Sequence, residues 1–255
     1  MPAARVGKTC PAKPTGEGGC PCDQAYVRPI RVRRILENCV KYQAVVFDLD
    51  GTLLDTLEDL ADSMNAALAA RGLPTHPTEA YKTFVGDGMH NLVYRTAPAS
   101  RDDAVLHAEL LEAARAEYGR RWANKTRPYD GVRELLDGLS ARGCQTAVLT
   151  NKPQDFAELC VDRLLAGWRF DAVQGVDDGV PPKPDPTGAY RVCTALGLQP
   201  GDCLYLGDTN TDMRTAVGVG MYPVGAIWGF RTAEELRQTG AAALAEHPTD
   251  VLTML

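Results

Sequence analysis

In the stretch Tyr42-Gln43-Ala44-Val45-Val46-Phe47-Asp48-Leu49-Asp50-Gly51-Thr52-Leu53-Leu54-Asp55-Thr56, a continuous apolar run, Ala44 to Phe47, ends in two carboxylates spaced i, i+2. A short apolar run of this kind fits a strand buried on both faces, as in parallel sheets. The acidic pair then lies at the strand's C-terminal end, where open α/β sheets place their ligands. Alternation along a strand points Asp48 and Asp50 to the same side. Gly51 lets the chain turn sharply and approach a ligand closely.

Downstream, two more buried strands end in polar residues. Thr146-Ala147-Val148-Leu149 runs into Thr150-Asn151-Lys152, and Cys203-Leu204-Tyr205-Leu206 runs into Gly207-Asp208. Further strands are expected at 171–175 and 222–227. Helical spacing of apolar residues separates them, as in Val132, Leu135, Leu136, Leu139 and in Ala189, Val192, Cys193, Leu196. Strands alternating with helices imply a Rossmann-like parallel sheet with right-handed crossovers. Between 57 and 122 no strand pattern occurs. Helices are expected from Leu57 to Ala70, Pro77 to Phe84, His90 to Thr96 and Asp102 to Trp122. Asp55 or Thr56 is placed to N-cap the first, and Leu111, Tyr118 and Trp122 share a stripe on the last. The expected organisation is an α/β core from 43–56 plus 127–255, with an all-helical insertion over 57–126.

Residues 1–42 differ in kind. They are rich in Pro and Gly and hold eight Lys/Arg against three acids, which leaves −11 of the net −6 to the remainder. This reads as a disordered basic extension, in which Arg31–Leu36 has the pattern of a short basic amphipathic helix. Cys10, Cys20 and Cys22 do not match the paired spacing of common zinc sites. The acidic body argues against nucleic acid as a partner. No apolar run is long enough to span a bilayer, and no secretory signal is expected. Cys144, Cys160, Cys193 and Cys203 lie in apolar segments and read as core residues of a reduced, cytoplasmic protein. The oligomeric state stays open.

In a parallel sheet the three strand ends converge on one edge. That edge gathers Asp48, Asp50, Thr150, Asn151, Asp208 and Asp212, with Lys183 from the loop between the second and third strand ends. Crowded carboxylates repel unless a cation neutralises them. Oxygen ligands without nearby His or Cys point to Mg²⁺. The remaining groups suit a phosphoryl group: Lys183 as a point charge, Thr150 as a donor, and backbone N–H groups after Asp48 and at Asn151, read as a helix start.

Asp48-Leu49-Asp50-Gly51-Thr52-Leu53, Thr150-Asn151-Lys152, Lys183-Pro184 and Gly207-Asp208-Thr209-Asn210-Thr211-Asp212 resemble, in order, the four motifs of the haloacid dehalogenase superfamily. The resemblance covers about residues 43–240, and the helical insertion is similar to the family's type-1 cap. Phe84-Val85-Gly86-Asp87-Gly88 and Trp228-Gly229-Phe230-Arg231 bring it nearest to the phosphoglycolate phosphatases among them. The extension at 1–42 has no counterpart in the family pattern. The resemblance implies a Mg²⁺-dependent hydrolysis of a small phosphorylated metabolite, with 2-phosphoglycolate favoured. It implies Asp48 as nucleophile, Asp50 as proton carrier, and Thr150 and Lys183 as stabilisers of the transferring oxygens. Metal is implied at Asp48, the Asp50 carbonyl and Asp208, with Asp212 on the metal's water or on Lys183. Other outcomes on the same core are a pyrophosphatase, a sugar-phosphate mutase, or a non-catalytic binding protein.

Two readings stand for Gly86 and Gly88: a loop that closes on substrate, or an ordinary interhelical turn. Lys152 reads as a surface lysine at a helix start, and Lys82, His90 and Arg95 as surface residues. Arg231 reads either as a contact to a carboxylate substrate or as a helix-start residue.

Overall fold

The computed structural model describes residues 41–255. The extension expected over 1–42, including its short basic helix, lies outside the described residues apart from Lys41 and Tyr42. Strand β1 (Ala44–Phe47) is apolar at all four positions and fully buried, because it is covered on both edges and both faces. It pairs in parallel with β4 (Gln145–Pro153) and with β6 (Cys203–Gly207); Phe47 lies opposite Val148 on one side and Leu206 on the other. The remaining strands are β5 (Ala172–Val176), β7 (Tyr222–Ala226) and β8 (Ala243–Ala245), and the sheet order is β5-β4-β1-β6-β7-β8. The chain moves outward from β1 to β4 and β5, then crosses to β6 and moves outward the other way. That reversal makes the β1–β6 boundary the switch point where ligand crevices form.

Alternation along β1 divides the core into two layers. Val45 and Phe47 pack with α5 (Val132–Ala141) and α6 (Gln154–Leu164), through Leu135, Leu136, Leu139, Ala157 and Cys160. Ala44 and Val46 pack with α7 (Thr187–Leu196) and α8 (Asn210–Val219), through Ala189, Val192, Cys193, Leu196 and Ala216. Helices thus cover both faces, which is the doubly wound α/β arrangement. A short α9 (Ala233–Gln238) follows β7. Cys160, Cys193 and Cys203 are buried free thiols, and Cys144 is half-buried. No helix among the described residues is long and apolar enough to cross a membrane.

The helical insertion leaves through β2 (Leu54–Asp55) and returns through β3 (Arg127–Pro128), which pair antiparallel. Between them lie α1 (Leu57–Ala69), α2 (Tyr81–Phe84), α3 (Gly88–Thr96) and α4 (Ala104–Arg121). They share their own apolar cluster, including Met64, Leu68, Tyr81, Val93 and Leu110, which Phe230 joins from beyond β7. The buried stripe of α4 is His107, Leu110, Ala114 and Tyr118. Leu111 lies only partly buried and Trp122 packs on the main core instead. The many Ala and Glu residues of α4 blur its apolar periodicity, which is why the expected stripe is offset.

Other expectations need correction. Asp55 caps no helix: it is the second residue of β2, opposite Arg127. Thr56 holds the N-cap position of α1, but its side chain makes no capping bond. Thr150-Asn151-Lys152 continues β4 in extended form to Pro153, and α6 begins only at Gln154. A proline disfavours helical geometry in the residue before it, so Asn151 is no helix start.

Asp59 stitches the two ends of the insertion. Its buried carboxylate accepts from the Lys125 amide (2.9 Å), the Thr126 amide (2.8 Å) and the Thr126 hydroxyl (2.7 Å). Asp59→Ala leaves the two buried Thr126 donors unpaired away from water, so it should lower the unfolding free energy by about 2–3 kcal/mol. Urea denaturation checks this; a loss within error of zero would mean that the stitch carries no stability.

Candidate active site

The turn after β1 is made by backbone hydrogen bonds that glycine permits. The Leu49 carbonyl accepts from the Leu53 (3.1 Å) and Leu54 (2.9 Å) amides, and the Gly51 amide donates to the Leu54 carbonyl (2.9 Å). Gly51 has φ +85°, and a Cβ there would stand 2.4 Å from Asp208 Oδ2 and 2.6 Å from the Phe230 ring. Absence of a side chain at Gly51 therefore lets the β6 acid come against the β1 turn. Asp208 is fully buried and fixed from two sides. Its Oδ1 accepts from the Thr52 hydroxyl (2.8 Å), and its Oδ2 from the Phe230 amide (2.8 Å).

Lys183 supplies the positive charge at this edge. Its ammonium reaches Asp212 Oδ1 at 2.6 Å, Asp48 Oδ1 at 3.0 Å and the Leu149 carbonyl at 3.0 Å. It also donates to the Tyr205 hydroxyl (3.0 Å), which itself donates to the Leu149 carbonyl (2.9 Å). The other Asp212 oxygen accepts from the Thr209 amide (2.9 Å) and hydroxyl (2.7 Å) at the start of α8. Burial works against a charged Lys183, but Asp212 and Asp48 outweigh it and hold its pKa well above the ordinary lysine value.

The acids outnumber that lysine. Asp48, Asp208 and Asp212 are buried and offer oxygens within 4.8 Å of one another. Burial, then the Asp212 charge, push the Asp48 carboxyl up to about 7, while Lys183 pulls it down. Asp208 is raised well above the ordinary carboxylate value by burial, then by Asp212 and Asp48. A hard-oxygen cluster with more negative charge than its lysine can balance fits a bound metal ion.

Asp48, Asp50, Thr150, Asn151 and Lys152 line one side of a cavity. Gly86, Gly88, Met89 and Tyr118 of the insertion line the other. The expected core residues lie at this edge and Gly86 and Gly88 face them from the insertion, although Asn151 has a different environment from the one anticipated. Its side-chain amide accepts from the Lys183 amide (2.6 Å) and donates to the Lys183 (3.3 Å) and Gly86 (3.0 Å) carbonyls. It binds the Lys183 loop and the Gly86 loop to the sheet.

Three further residues escape the sequence reading. Lys152 is buried, not a surface residue, and its ammonium lies 2.9 and 3.0 Å from the two Asp50 oxygens. Asp87, between the two glycines, accepts from the Thr211 hydroxyl of the fourth motif and pairs with Arg95. Although burial opposes ionisation, these bonds hold the Asp87 carboxyl below its ordinary value. Arg231 donates to the Lys82 and Val85 carbonyls at the end of α2, so it ties the insertion to the core. The sequence signal for Asp87 was its place inside the Gly86–Gly88 loop; for Lys152 it was the strand-ending Thr-Asn-Lys run.

The family profile of haloacid dehalogenase-like hydrolases matches residues 45–226. A phosphoglycolate phosphatase of Pseudomonas savastanoi pv. phaseolicola is 32% identical over 205 residues, 79% of this chain and 75% of that protein. A phosphoglycolate phosphatase of Xylella fastidiosa is 32% identical over 209 residues, 81% of this chain and 90% of the relative. Among solved structures, a predicted phosphoglycolate phosphatase from Haemophilus somnus superimposes with a TM-score of 0.75 at 28% identity, over 84% of this chain and 98% of that one.

The charge crowding has a measurable consequence in protein stripped of divalent cations. Asp48 ionises near 7 when folded, against an ordinary 3.8. The folded state then binds more protons than the unfolded state across that interval, so stability falls as pH rises through it. Asp48→Asn removes the group. Its Tm should therefore decline less steeply than the wild-type Tm between about pH 4 and pH 7; parallel Tm profiles would contradict the crowding.

Proposed function

The chain belongs to the haloacid dehalogenase-like hydrolases, and we propose that it is a Mg²⁺-dependent phosphatase that hydrolyses a small phosphate monoester, 2-phosphoglycolate first among candidates, through an aspartyl-phosphate. The observation that carries this reading is Lys183 lodged between Asp48 and Asp212 beside the buried Asp208. The names of the relatives favour the substrate.

In this reading Asp48 attacks phosphorus as the bond to the leaving oxygen breaks. Asp50 gives a proton to the departing alkoxide, then takes one from the water that hydrolyses the aspartyl-phosphate. Lys183 and the Thr150 hydroxyl balance charge on the transferring oxygens. Asn151 keeps the Lys183 loop in place, and Asp212 holds the Lys183 ammonium. Asp48, the Asp50 carbonyl and Asp208 would hold the metal. Bound there, Mg²⁺ supplies Lewis-acid charge toward a phosphoryl oxygen. The insertion at 57–126 acts as a cap on a core of 43–56 plus 127–255, with Gly86 and Gly88 over the leaving group. Enzymes accelerate phosphate monoester hydrolysis by up to ~10²¹-fold, so the site depends on positioning and preorganised charge.

Two measurements test this. Asp48→Asn should release phosphate from 2-phosphoglycolate at less than about a thousandth of the wild-type rate, as when other enzymatic nucleophiles are removed; ordinary turnover would sink the assignment. EDTA should abolish wild-type activity and Mg²⁺ restore it. Full activity after thorough chelation would remove the metal from the mechanism.

A further inference from the structure

The proposed chemistry gives Lys152 no task, yet it is among the most enclosed charges at the site. Its side chain is 3% exposed, and its ammonium spans both Asp50 oxygens. Among the described residues, the Asp50 carboxylate hydrogen-bonds with nothing else, and its side chain is 18% exposed. Asp48, Asp208 and Asp212 each have partners in the Lys183 and Asp208 networks, so Asp50 alone depends on a single residue for its placement.

Lys152 is itself well held. It stands on β4, and a Cβ at Gly175 of the neighbouring β5 would come within 2.6 Å of the Lys152 carbonyl, so the strands close only because that residue is glycine. Tyr118 of α4 presents its ring 4.6 Å from the ammonium, a cation–π contact in a dry setting. The Tyr118 ring is buried, and its hydroxyl has no hydrogen-bond partner among the described residues.

We propose that Lys152 is a positioning residue that aims the Asp50 carboxyl at the leaving oxygen, with Tyr118 as the wall that keeps the pair in place. The inference rests on Asp50 being the proton carrier. Small displacements of a reacting group are costly, and Asp50 lies in the turn after β1, where its side chain would otherwise choose among rotamers. Because Tyr118 belongs to the insertion, the insertion acts on proton transfer without touching the reacting atoms.

The experiment compares two esters with Mg²⁺ present. 2-Hydroxyethyl phosphate has an alkoxide leaving group that needs a proton. p-Nitrophenyl phosphate releases a phenolate that does not. kcat/KM covers the steps through phosphoryl transfer to Asp48, so it isolates the acid role. Lys152→Met should lose about 100-fold on the alkyl ester, within the range a positioned general acid contributes. On the aryl ester it should lose less than about fivefold, which also shows that the variant is folded. Lys152→Arg should recover most of the alkyl-ester rate, and Tyr118→Leu should fall in the same direction as Lys152→Met, but less.

Equal losses on both esters, or no loss on either, would overturn the proposal. So would a Lys152→Met loss confined to 2-phosphoglycolate and absent with 2-hydroxyethyl phosphate, since Lys152 would then recognise the carboxylate. Failure of the underlying reading would look different: wild-type protein would release phosphate neither from the two esters nor from 2-phosphoglycolate, or Asp48→Asn would remain active.

Discussion

Three buried carboxylates share the end of the sheet with the Lys183 ammonium, and most of the surrounding structure follows from that constraint. Asp48, Asp208 and Asp212 approach within 4.8 Å, where like charges in a poor dielectric repel strongly. The fold holds them there by fixing the backbone first. The β1–β6 pairing places Asp48 beside the β6 end, and the Asp48 amide donates to the Leu206 carbonyl at 2.9 Å. The Thr52 hydroxyl and Phe230 amide fix Asp208, while Thr209 and Lys183 fix Asp212. The negative charge left unbalanced suits a hard cation.

The helical insertion is anchored to this centre at points close to the chemistry. Asp87 meets Thr211, next to Asp212 in the chain; Asn151 meets the Gly86 carbonyl; and Arg231 meets the end of α2. The anchors join the insertion to the second and fourth motifs and to the segment after β7. A change in any of these loops is therefore felt on both sides of the cavity, although the apolar cluster of the insertion is separate from the two core layers.

The gathering of Asp48, Asp208 and the Thr150 run at one edge was legible in the sequence because these residues sit at strand ends. Runs such as Ala44–Phe47 and Cys203–Leu206 announce buried strands, and the polar residue after each is necessarily at the edge. Short or weakly patterned elements were not legible. β2 and β3 are two residues each and exist only by pairing with one another, while β8 is Ala-Leu-Ala, beside β7. Side-chain environments were also hidden. Lys152 looks like any lysine beside a proline until Asp50, Tyr118 and Gly175 close around it, and all three are remote in sequence. Nothing around Asn151 in the sequence tells of the Lys183 loop that returns to meet it.

The central strand has a consequence for the order in which the molecule comes together. Ala44 pairs with Gln145 on one edge and with Cys203 on the other. β1, the first strand among the described residues, thus receives its last neighbour only after most of the chain has emerged. Closing such long loops is slow compared with forming local helices. The four helices of the insertion share a cluster that needs little from the sheet, so they are able to gather while β1 still waits. Until β6 arrives, Asp48 lacks both the partner strand that orients it and the acid it must be paired with. A chain that stops short of β6 would carry Asp48 without the acid cluster that β6 completes.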